Sequence, residues 1–160
     1  MDYMWAPWRM DYILSSKPDG CIFCDKPQQE KDRENLILYR SAQCFIIMNY
    51  YPYNNGHLMI VPYRHLAKLT ELTTEEQSEM TTLLIRCEEI LHHALKPDGI
   101  NIGMNLGKVA GAGIDDHIHF HIVPRWNGDT NFMPVIGHTK VLVQALYESW
   151  DLLKPYFDEL

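Results

Sequence analysis

Residues 117–123 read His117-Ile118-His119-Phe120-His121-Ile122-Val123. Histidines alternate with large apolar side chains, the period of a half-buried β-strand. His117, His119 and His121 then share one face, while Ile118, Phe120 and Ile122 turn to a core. Alternate residues on a strand lie about 6.6 Å apart, so the outer two rings start about 13 Å apart at the backbone. One phosphorus or carbonyl atom can meet His119 and one flanking ring, but not all three. An idle buried row of imidazoles is costly to desolvate and repels itself when protonated. The row is read as functional.

Working outward, Ile100–Leu106 reads as a strand, and residues 107–113 form a glycine-rich loop into the histidines. Glycines let backbone N–H groups approach an anion closely, so Gly111, Ala112 and Gly113 are candidate phosphate donors, with Lys108 beside them. Upstream, Leu36–Arg40, Cys44–Asn49 and His57–Pro62 read as strands joined by short connections, an antiparallel meander. Residues 50–56 carry Asn-Gly turn chemistry. Thr73-x-x-Glu76 is a capping box for a helix over about 73–96, whose Met80, Leu83, Leu84, Cys87, Leu91 and Ala94 make one apolar stripe. Lys96-Pro97-Asp98-Gly99 stops it. A last helix is expected from about Thr139 to Lys154, ended or kinked by Pro155. Residues 1–20 are expected to pack over the sheet, and 27–35 to be a solvated linker. Residues 126–134 read as a compact polar-aromatic loop. His57, His92, His93 and His138 are read as surface residues, and Cys87 as core.

Cys21-x-x-Cys24 follows a Gly turn. The spacing converges two thiolates on a tetrahedral Zn²⁺, but also serves thioredoxin-like redox pairs. The strand-to-helix setting of the redox pair is absent, since Asp25-Lys26-Pro27 follows. Zinc needs two further ligands, for which histidines are the natural supply, and His65 at a strand exit is a candidate. At 160 residues the chain is expected to form one domain, with 46% hydrophobic and 22% charged residues and a formal charge of −7. That charge argues against a nucleic acid polymer as partner, yet allows a small anion in a local pocket. No apolar run is long enough for a membrane span, and Met1–Trp5 lacks an export leader, so a cytoplasmic protein without disulfides is expected.

The triad His117-x-His119-x-His121 with Ile122-Val123 resembles the motif of the histidine-triad superfamily of nucleotide hydrolases and transferases. Asn49, Gly56-His57 through Pro62, Asn105 and the glycine loop lie where that family carries its nucleotide-site segments. Trp5-Ala6-Pro7-Trp8-Arg9 and Arg125-Trp126-x-Gly128-Asp129-x-Asn131-Phe132 resemble a bacterial subgroup that includes diadenosine tetraphosphate hydrolases and phosphorylases. The resemblance spans nearly the whole chain. It implies a single histidine-triad domain of α+β class with an antiparallel sheet of about five strands, an N-terminal arm and zinc knuckle over 1–26, and a homodimer. It makes His119 the nucleophile that forms a covalent nucleotidyl-histidine at an α-phosphate, and His121 a contact to phosphate oxygens. It assigns Cys21, Cys24, His65 and His117 to one structural zinc, Asn49 to the ribose, and Ile22, Phe23 and Ile47 to the base pocket. Many members carry Ser or Thr before the triad; Gly113 or Ile114 stands there here, so backbone donors at Gly111–Gly113 or another residue must replace a hydroxyl.

The chemistry follows from the residue types. A neutral imidazole is a good nucleophile for phosphorus near pH 7, and the N–P bond it forms breaks readily. Most of the catalysis must then come from positioning and charge stabilisation. The substrate implied is a nucleotide or dinucleoside polyphosphate, resolved by water or phosphate. Three rival readings stand beside it: a catalytic metal held by the histidines themselves, a nucleotide-binding sensor without turnover, and a redox pair at Cys21 and Cys24.

Overall fold

The computed structural model describes residues 20–129 and 144–160. The aromatic N-terminal stretch, residues 130–134 of the polar loop, His138 and the first residues of the expected last helix lie outside them. Five strands form one antiparallel sheet in the order β1-β2-β3-β5-β4. They are β1 (Ile37–Arg40), β2 (Cys44–Met48), β3 (Leu58–Pro62), β4 (Gly99–Gly103) and β5 (Phe120–Arg125). The first three make the expected meander. The hairpin of β4 and β5 departs from it, because β5 pairs with β3 and leaves β4 at the edge.

The register sorts side chains onto two faces. Ile46, Ile60 and Phe120 align across β2, β3 and β5, whereas Ile47, Met59 and His121 align on the opposite face. Every residue of β2 and β3 is buried, and each fully buried Leu or Ile contributes about 1.5–3 kcal/mol. Short helices α1 (Ile22–Asp25) and α2 (Asp32–Asn35) precede β1, with a 3₁₀ turn at Lys26–Gln29 between them. The expected linker is therefore structured, because Pro27, Asn35 and Leu36 are buried and need partners.

Helix α3 (Thr74–Leu95) is the long helix, and Thr73 caps it in a full capping box with Glu76. It lies on β2, β3 and β5 and buries Met80, Leu83, Cys87, Ile90 and Leu91. His92 and His93 are exposed on it, as the sequence suggested. Gly56 sits beneath it at φ +71, where an added Cβ would meet Leu95 at 2.4 Å, so no other residue fits that turn without a shift. Helix α4 (Leu146–Phe157) packs on β1 and α3. It runs through Pro155 instead of ending there, and buries Leu153 and Phe157 to hold its last turn. Trp150 Nε1–H donates to the Ile37 carbonyl at 3.0 Å, tying the helix to the sheet edge. Among the described residues, no helix is long and apolar enough to cross a membrane.

The histidine stretch is not one continuous strand. Pairing with β3 begins at Ile60 opposite Phe120, and His117 and His119 lie on the approach. Continuing the register would place Ile118 opposite Pro62, which has no N–H to give. Instead the Pro62 carbonyl accepts from the His117 ring at 2.8 Å, and Ile118 N–H donates to Leu66 at 2.8 Å. Strand β4 likewise stops at Gly103, short of the expected Leu106. The Arg125–Asp129 turn acts as a clamp: the Asp129 carboxylate accepts from Arg125 at 2.6 Å and from Asn54 Nδ2 at 2.7 Å. Asn54 also donates to the Pro124 carbonyl at 3.0 Å, which fixes the loop between β2 and β3 against β5.

Candidate active site

Each triad histidine has its ring oriented by a different partner. His119 is 5% exposed, and its Nδ1–H donates to the His117 carbonyl at 2.8 Å. That bond fixes the tautomer and leaves a lone pair on Nε2. Burial lowers the His119 pKa, with the bond to the His117 carbonyl opposing, so the ring is neutral near pH 7. Phe23 from α1 packs on it at 4.9 Å between ring centroids.

His121 is oriented by a residue the sequence placed at the surface. His57 is fully buried, and its Nδ1 accepts from Tyr53 N–H at 3.1 Å. A backbone amide can only donate, so the proton of neutral His57 is on Nε2. Burial, then His121 and His119, hold the His57 pKa well below the usual histidine value, which keeps it neutral. Its Nε2 lies 3.0 Å from His121 Nδ1 and donates to it, so neutral His121 carries its proton on Nε2. The two neighbours, 4.7 Å apart at their centroids, are thus set oppositely: His119 offers a lone pair and His121 a hydrogen-bond donor. The signal for His57 was its place two residues before Met59, on the face that meets His121.

His117 turns away from both. Its Nε2–H donates to the Pro62 carbonyl, and its Nδ1 lies 3.3 Å from Cys21 Sγ and 3.7 Å from Cys24 Sγ. His65 Nδ1 is 3.4 Å from Cys24 Sγ, while its Nε2 faces Asp116 at 3.7 Å. Ligand atoms of Cys21, Cys24, His65 and His117 all lie within 4.8 Å of one another. Zinc bonds of about 2.0 Å to nitrogen and 2.3 Å to sulfur put tetrahedral ligand atoms about 3.3–3.8 Å apart, and the three N···S separations of 3.3, 3.4 and 3.7 Å fall in that range. Burial, then the neighbouring Cys21, push the Cys24 thiol up to about 11, so the thiolate form calls for a cation. His65 is held in place from α3: Arg64 beside it forms a two-pronged ion pair with the buried Glu76 carboxylate at 2.6 and 2.7 Å.

A pocket opens on the histidine face. Ile22, Phe23, Ile47 and Met59 give it apolar walls, and His119 and His121 lie at its β5 side. Asn49, Asn105, Gly111 and Gly113 also line it, whereas Ala112 is buried beneath the loop and does not. Asn49 is set by its own loop: its Oδ1 accepts from Tyr51 N–H at 2.9 Å and its Nδ2 faces His57 Nδ1 at 3.4 Å. The glycine loop differs from the expected anion nest. Gly111 N–H donates to Lys108 at 3.0 Å and Ala112 N–H to Gly107 at 3.4 Å, so both amides are engaged inside the loop. Lys108 lies in a 3₁₀ turn, exposed and outside the lining. Sequence reading missed Lys26, Tyr50, Tyr51, Tyr53 and Met59, which the β2–β3 loop, α1 and β3 bring to the same space.

The HIT domain family matches residues 30–128, and the chain belongs to that family. Over 159 residues it is 38% identical to an AP-4-A phosphorylase of Mycobacterium tuberculosis, covering 94% of this chain and 81% of that one. Over 93 residues it is 28% identical to an asymmetrical bis(5'-nucleosyl)-tetraphosphatase of Schizosaccharomyces pombe, covering 58% of this chain and 50% of that one. The crystal structure of a zinc-bound histidine triad family protein from Mycobacterium smegmatis superposes with a TM-score of 0.70 at 27% identity, over 88% of this chain and 94% of that one.

Proposed function

We propose that this protein splits dinucleoside polyphosphates of the diadenosine tetraphosphate type at an α-phosphate, through a covalent nucleotidyl-histidine on His119. The observation that carries it is the opposed tautomer setting of His119 and His121 at one wall of the pocket. In the first step His119 Nε2 attacks the α-phosphorus, and the P–O bond to the bridging oxygen breaks, releasing a nucleoside polyphosphate. His121 Nε2–H and the Gly113 amide serve the phosphate oxygens, in place of the absent Ser or Thr hydroxyl. In the second step water or inorganic phosphate attacks, the N–P bond breaks and His119 returns neutral. Ile22, Phe23, Ile47 and Met59 receive the base, and Asn49 and Asn105 the ribose and phosphate side.

The donor set of Cys21, Cys24, His65 and His117 fits one structural zinc per chain. Bound there, zinc would supply folding energy and fix His117, whose carbonyl orients His119. No step of the transfer passes through it.

The acceptor is read from products. Diadenosine tetraphosphate incubated with water alone should yield AMP and ATP, and with phosphate ADP and ATP. Symmetric cleavage to two ADP would contradict attack at the α-phosphorus.

The protein is also proposed to be a homodimer. Strand β4 has one paired edge, and Ile102 on it and Ile85 on α3 are about half exposed, 48% and 52%. Sedimentation at micromolar concentration should give twice the chain mass; an active monomer would refute the assignment.

A further inference from the structure

One lysine in the pocket lining, Lys26, has no part in the transfer chemistry. Lys26 closes the turn after α1, its backbone N–H donating to the Ile22 carbonyl, and both side chains line the pocket. Among the described residues it is the only Lys or Arg in that lining. Its half-buried Nζ donates to the Asn35 carbonyl at 3.4 Å, and Asn35 Nδ2 donates back to the Lys26 carbonyl at 3.2 Å. Burial lowers the Lys26 pKa.

The sheet supplies a ruler for what this group can reach. Asn35 stands two residues before β1, next to Leu36, whose carbonyl accepts from Met48 N–H at 2.9 Å. Strand β5, which carries His121 and directly follows His119, lies three places from β1. At about 4.8 Å per neighbouring strand, the anchor of Lys26 is about 14 Å from that line. A phosphate held by His119 and His121 therefore occupies one end of the pocket, and the base of the same nucleotide extends toward Lys26. An ammonium is donor-only. Guanine presents two adjacent acceptors, O6 and N7, where adenine sets an N6 amino donor beside N7.

Resting on the nucleotide reading of the pocket, we propose that Lys26 is a specificity-determining residue that donates to the acceptor edge of the bound base and tilts the site toward guanine relative to adenine. The test is calorimetric binding of GMP and AMP to the wild-type protein and to Lys26→Met. A lost hydrogen bond from a charged donor predicts about a tenfold fall in GMP affinity, with AMP changed by less than about threefold. Lys26→Gln keeps a donor for the Asn35 carbonyl and so guards against a folding defect; it should shift the ratio the same way by a smaller factor. Equal losses for the two nucleotides, or none, would overturn the assignment. So would a loss independent of base that grows from AMP to ATP, which would place the ammonium on phosphate. Failure of the wild-type protein to bind either nucleotide would remove the underlying reading together with the proposal.

Discussion

His119→Ala should bind nucleotide nearly as well as the wild-type protein and turn it over slower by several orders of magnitude. Removing a catalytic nucleophile costs roughly 10⁶-fold in the best-studied case. Ile22, Phe23, Ile47 and Met59 still line the pocket without that ring, and Asn49 is held by Tyr51 and His57 independently of it. The Nδ1 bond to the His117 carbonyl exists only to orient the lost ring, so no other buried donor is left unpaired. Equilibrium binding and single-turnover rates measured on the same sample separate the two effects. A fall in affinity matching the fall in rate would show that His119 holds substrate and does not attack it.

Cys24→Ser should act on the fold more than on the chemistry. Its Sγ lies within 3.4 Å of His65 Nδ1 and 3.7 Å of His117 Nδ1, between segments far apart in sequence. Losing a closed metal site belongs to the few single changes that cost more than about 4 kcal/mol. For a chain of this size that is a fall in thermal midpoint on the order of 10 °C. Elemental analysis should find one zinc per chain in wild-type protein purified without chelator and far less in the variant. Zinc absent from the wild type, or an unchanged midpoint in the variant, would remove the metal assignment and return Cys21 and Cys24 to the redox reading.

The reach of the sequence differed from element to element for physical reasons. Period-two alternation marked the face on which His119 and His121 line the pocket, because side-chain direction is local, but not that His117 turns away from it. It did not mark where β5 begins, because the ladder ends at Ile60, short of Pro62, a residue 58 positions before Phe120. The cluster of Cys21, Cys24, His65 and His117 was legible as a set only through family resemblance; spacing alone gave the cysteine pair. His57 was misread as exposed, since a lone histidine after Gly56 carries no periodic signal and its partners are in a loop and on β5. Lys26 was lost in a polar stretch whose burial depends on α2 and β1. The glycine loop was read correctly as an approach to the histidines, but its internal bonds at Gly111 and Ala112 are a matter of turn geometry that composition does not fix.

The central claim is that His119 becomes covalently attached to the α-phosphate. It is tested by quenching a reaction with α-labelled diadenosine tetraphosphate within the first turnover and following the label on denatured protein. The account predicts acid-labile, base-stable label on the wild-type chain, as for a phosphorus–nitrogen bond, and none on His119→Ala. Wild-type protein that turns substrate over in a rapid burst without carrying label, or label equally present on His119→Ala, would contradict it.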